Sequence, residues 1–116
     1  LGHPLADLGF CVMPWCTSND EYGGLKGTEW RENGIPTLEE FLAEYYENSI
    51  QTLKLQPFHV AFALFRFSVI FVGISDRTRI GNAASKEAYT LAPLAERFAN
   101  RACQISKCYS MNEVGL

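Results

Sequence analysis

The apolar positions of this chain fall into helical blocks, and no stretch of useful length alternates apolar and polar residues as a half-buried strand would. Leu5, Leu8, Val12 and Trp15 recur at three- and four-residue intervals and predict a first helix over residues 5–16. Pro14 should end or kink it, because proline lacks an N–H and crowds the preceding turn. Residues 17–36 are polar and glycine-bearing and predict a long loop. Thr37, with Glu40 three residues on, forms a capping box that opens a second helix. Its apolar face is Leu38, Phe41, Leu42, Tyr45 and Tyr46, and Ile35 stands where it can staple the first turn. A third helix, from residue 56 or 57 to 80, is apolar almost all round, which predicts a central helix buried on nearly all sides. It should stop at Gly81-Asn82. A fourth should begin after Ser85 as N-cap, turn Leu91, Leu94, Phe98 and Ala102 to the core, and bend at Pro93. Residues 111–116 read as a frayed tail. The expected fold is all-α.

The third block raises the question of a membrane. His59, Arg66 and Ser68 interrupt it, and an arginine near mid-bilayer is expensive. No uninterrupted apolar run reaches the roughly 18 residues of a span, so a packed helix and no membrane span are expected. With 116 residues the chain is one domain or a piece of one, and 47% hydrophobic residues suffice for a core. A net charge of −3, with scattered basic residues, argues against nucleic acid as a partner.

Candidate chemistry is sparse. Gly23-Gly24-Leu25-Lys26-Gly27-Thr28 suggests a phosphate loop, but the Gly-Lys-Thr order is broken and no strand precedes it. A loop of this length can contact a ligand, which makes Tyr22 and Trp30 candidate substrate contacts, with packing onto the core as the simpler role. Cys11/Cys16 and Cys103/Cys108 are spaced too widely for a usual zinc pair. They read as reduced thiols in a cytoplasmic protein, disulfides requiring an oxidising compartment. His3 and His59 are far apart, and His59 reads as packed or hydrogen-bonded. The acidic side of the second helix, Glu39, Glu40, Glu44 and Glu47, could draw a polycation but is the pattern of a solvated face. Asp7, among apolar neighbours, looks buried and in need of partners. Arg66, in the apolar third helix, calls for a carboxylate or a solvent-filled cleft.

Gly2-His3-Pro4-Leu5-Ala6-Asp7-Leu8 resembles the segment after the metal-binding Asp of aminoglycoside phosphotransferase-like kinases. The likeness continues through Gly34-Ile35-Pro36-Thr37-Leu38-Glu39-Glu40-Phe41, Ala61-Phe62-Ala63-Leu64-Phe65-Arg66, Gly73-Ile74 and Gly81-Asn82-Ala83. It is greatest to the branch associated with acyl-CoA dehydrogenases and covers most of the chain. Family members often carry Gln where Val72 stands here, which weakens any polar role at that position. The resemblance implies that residues 1–106 are the helical portion of the C-terminal lobe of a kinase-like α+β fold, with 107–116 a tail. The missing N-terminal part of the same domain, with the ATP-holding lobe and catalytic loop, would precede Leu1. It implies ATP and Mg2+ for the parent enzyme, a small-molecule hydroxyl acceptor, and no catalytic group in this chain. Asp7 would brace the catalytic loop by accepting hydrogen bonds from its backbone, with a plain helix-dipole role as the alternative. Arg66 would pair with an acid or face an anionic group of the acceptor, whose cleft these helices would wall. The acceptor could be a hydroxylated acyl thioester, another metabolite or an aminoglycoside. The rival expectation is a stand-alone helical interaction module, in which leftover apolar surface leaves a homodimer open.

Overall fold

The computed structural model describes residues 3–50, 53–79 and 93–114. Among them there is no β-strand, only an isolated bridge between Ser18 and Lys26. The helices are α1 (Pro4–Val12), α2 (Leu38–Glu47), α3 (Pro57–Arg79) and α4 (Leu94–Ser106). Short 3-10 turns cover Met13–Trp15 and Met111–Glu113.

Pro14 acts as its chemistry requires. The α-helical bonding stops at Val12, and the chain tightens into the Met13–Trp15 turn instead of continuing to residue 16. At α2, Thr37 Oγ1 accepts the Glu40 N–H at 3.0 Å. The Glu40 carboxylate receives the Thr37 hydroxyl at 3.1 Å, so the capping residues are the expected pair with a different return bond. Trp15 joins these pieces: its indole Nε1 donates to the Pro36 carbonyl at 3.0 Å and its ring packs on Phe41 at 5.0 Å. The expected stop at Gly81-Asn82, the Ser85 cap and the first part of the fourth helix lie outside the described residues. The described part of that helix begins directly after Pro93.

Helix α3 is the spine, packed against α1 and α4. Val60, Leu64 and Phe71 lie inside with Leu5, Leu8 and Val12 of α1 and Leu94, Phe98, Ala102 and Ile105 of α4. Each of these valine, leucine, isoleucine and phenylalanine side chains contributes about 1.5–3 kcal/mol on leaving water. The ring of Phe71 meets Phe98 edge-on at 5.2 Å, a favoured aromatic geometry. Ser68 sits inside at no cost in lost hydrogen bonds, since its hydroxyl donates to the Ala95 carbonyl at 2.6 Å. Helix α1 approaches α3 closely because of Gly9: a Cβ there would lie 2.8 Å from the His59 carbonyl oxygen.

Two expectations are corrected. The spine is not buried on nearly all sides: Phe58, Phe62, Phe65, Val69 and Val72, spaced by four and three residues on one face, are exposed. By length and composition Pro57–Ile74 could cross a membrane, a property shared with core helices of soluble proteins. The end of the chain is not simply frayed either, because Met111 packs against the core and Val114 is buried in it.

Candidate functional site

Helical spacing places His3, Asp7 and Phe10 on one stripe at the N-terminal cap and body of α1, and His59, Phe62 and Arg66 on one stripe of α3. These stripes meet along a seam. At one end the His3 and His59 rings stack with centroids 6.2 Å apart. Each imidazole serves a helix start: His3 Nδ1 accepts the Leu5 N–H at 3.2 Å, and His59 Nδ1 accepts the Gln56 N–H at 2.9 Å. Both rings thereby accept through Nδ1, which leaves Nε2 as the donor position. Burial, then the nearby His3, holds the His59 imidazole below its ordinary range. The sequence separation concealed this pair. The readable signal was that His3 precedes Pro4 and that His59 follows Pro57 by two positions, both cap settings.

At the other end Arg66 is exposed, with its guanidinium over the rings of Phe10 at 4.8 Å and Phe62 at 5.8 Å. The expected carboxylate partner is therefore not what holds it among the described residues; cation–π contacts are. Phe10 meets Phe67 edge-on at 5.4 Å, and Tyr22 lies 6.2 Å from Phe67. One row of rings thus links Tyr22 to Arg66. Asp7 is exposed in the first turns of α1 rather than buried, and no described residue hydrogen-bonds its carboxylate. Its placement is favourable to the helix dipole and leaves the carboxylate facing outward.

Trp30 stands apart from this row. It is 8% exposed, with the Arg31 guanidinium 5.1 Å above its ring. Tyr22 is 59% exposed and holds a φ of 64°, a left-handed conformation uncommon outside glycine. The loop enforces it. Ser18 N–H is held by the Glu21 carboxylate at 2.9 Å, and Gly24 lies so close to the Thr17 backbone that a side chain would collide. Glu21, 3% exposed, then receives Arg101 at 2.5 Å and Arg97 at 3.0 Å. Burial alone would raise the Glu21 carboxyl, but bonds from the Ser18 N–H and Arg101 overcome it and hold it below its ordinary range. Asp20 is lowered by the Ser18 hydroxyl and then by Arg97.

Among the described residues no three His, Cys, Asp or Glu side chains gather as a metal site. The four cysteines are free thiols; burial pushes Cys16 up to about 12, which leaves it unreactive.

No family model matches the chain. In fold it is similar to a crystal structure from Ralstonia eutropha JMP134 provisionally named an aminoglycoside phosphotransferase, with a TM-score of 0.82 and 27% identity over 91% of this chain and 32% of that one. The chain has the fold of the C-terminal helical part of an aminoglycoside phosphotransferase-like, kinase-like domain. Its similar curated relatives match the branch associated with acyl-CoA dehydrogenases. It is 30% identical to mouse acyl-CoA dehydrogenase family member 10 over 88% of this chain, and 28% identical to human acyl-CoA dehydrogenase family member 11 over 92%. It spans 10% and 14% of those proteins.

Proposed function

We propose that this chain is the acceptor-side helical part of an ATP-dependent phosphotransferase that modifies a hydroxyl of a small molecule. The observation that carries the reading is the fold likeness to the phosphotransferase from Ralstonia eutropha, extending over nearly the whole chain. Phosphoryl transfer asks a protein mainly for positioning and charge neutralisation. In this reading ATP and Mg2+ are held by the missing N-terminal part of the domain, and the segment alone is inactive. Its helices wall the acceptor cleft, with Arg66 and Tyr22 as the contacts that the structure leaves exposed. A hydroxylated acyl thioester or related metabolite is the preferred acceptor over an aminoglycoside, since the curated relatives carry acyl-CoA dehydrogenase names. The protein is read as cytoplasmic, with α3 a packing helix rather than a span, and without nucleic acid as a partner.

Asp7 is the positioning residue of this proposal. Its outward carboxylate is available to backbone N–H groups of a catalytic loop, and a small misplacement of such a loop is costly to rate. In the full-length protein Asp7→Ala should lower turnover at least about ten-fold while changing ATP affinity far less. A screen of hydroxyl acceptors with labelled ATP supplies the assay, and unchanged turnover in the variant overturns the assignment. The second reading, a stand-alone interaction module, draws on the exposed phenylalanine face of α3. The gene sequence upstream separates the two: a His-x-Asp loop followed by a strand ending in Asp supports the enzyme, an unrelated domain the module.

A further inference from the structure

A cavity of about 740 Å³ lies away from the α1–α3 seam, between the start of α2, residues 54–56 and the 110–112 turn. Its volume is that of a small-molecule site. The floor is apolar, from Leu38, Leu42 and Leu55. The rim carries two cations, Arg31 and Lys54, and one acid, Glu39. Neither cation is paired with a carboxylate among the described residues. Each is instead held over an aromatic ring, Lys54 Nζ at 3.9 Å from the Tyr46 centroid and the Arg31 guanidinium at 5.1 Å from Trp30. Tyr46 is itself fixed, because its hydroxyl accepts the Leu55 N–H at 2.8 Å. Cations held in place by rings surrender little side-chain freedom when a ligand arrives.

We propose that this groove binds a small amphipathic anion, with an acyl-like body on the leucine floor and a carboxylate or phosphate head between Lys54 and Arg31. Charge complementarity and the apolar floor together select that class: a neutral lipid leaves the cations unused, and a purely polar anion leaves the leucines wet. The proposal does not depend on the phosphotransferase reading, since no residue of the groove belongs to the seam. Octanoate, octyl phosphate and octanol titrated into isotope-labelled full chain, followed by NMR, test it. Saturable shifts at Leu38, Leu42 and Leu55 are expected with both anions, and binding of octanol at least about three-fold weaker. Lys54→Gln and Arg31→Gln should each weaken octanoate by about three-fold, and added salt should weaken it in the wild type. Equal binding of octanol, unchanged affinity in both variants, or shifts confined to Phe58, Phe62 and Phe65 overturns the proposal. Shifts with octyl phosphate alone assign the head group as phosphate.

Discussion

The two long sides of α3 are built on opposite terms. Toward α4 and the 17–28 loop the buried polar groups among the described residues have partners. Glu21 is enclosed by Arg97, Arg101 and the Ser18 N–H, Ser68 by the Ala95 carbonyl, and Phe71 by Phe98 and Tyr22. On the outward face Phe58, Phe62 and Phe65 are open, Arg66 rests on rings among the described residues, and Asp7 points outward. One side has the satisfaction expected of a finished interior. The other has the composition of an interior with its surface uncovered. The difference fits a segment that spans a third of the chain it matches in fold.

Breaking the finished side should cost most. Glu21→Ala removes the acceptor of two arginines and of a backbone N–H, and is expected to destabilise by about 3 kcal/mol in urea denaturation. The value sits at the low end for buried pairs because Arg97 and Arg101 retain access to water. The pH dependence follows. A carboxyl held low in the fold contributes stability that is present above its unfolded value, about 4.3, and is lost as pH falls through the lower folded value. In Glu21→Ala that acid-limb loss should shrink. An unchanged urea midpoint would mean that the loop is held by packing rather than by this knot.

The His3–His59 end of the seam lies between the two sides and should give a smaller, pH-confined effect. His59 binds its proton less readily folded than unfolded, so its contribution is present above about pH 6.5 and falls as pH drops below it. His59 is only partly buried, which limits the size of the effect. His59→Gln should flatten the stability profile between about pH 5 and 7. A profile identical to wild type would show that neither stacking nor burial perturbs the imidazole.

Local chemistry was the legible part of this sequence. Pro14 and Thr37 act within one or two turns of themselves, and their effects follow from missing donors and cap geometry. Glu21 and Arg101 were not legible as partners, being 80 residues apart in a loop and a helix that give no periodic sign of meeting. The exposed face of α3 was misread for a physical reason. An all-apolar helix has no moment to say which stripe its own chain covers and which is left for something else. Asp7 was misjudged by the same step, since it was taken as buried because its sequence neighbours are apolar.

The open face offers the smallest expected effect on stability and the sharpest contrast. Phe62 is 54% exposed and Phe71 is 1% exposed, nine residues apart on one helix. Replacing a buried phenylalanine by a small residue typically costs about 3–5 kcal/mol through lost transfer energy and a cavity. Phe62→Ser removes a ring that is already half in water and leaves no cavity. It should change the stability of this chain by no more than about 0.5 kcal/mol, and should make it less prone to associate. If a further part of the domain covers this face in the full-length protein, as the proposed function implies, the same substitution should destabilise that protein measurably. Equal, near-zero effects in both contexts would mean that no further part of the domain docks on this stripe, and the surface would then fit the stand-alone reading better.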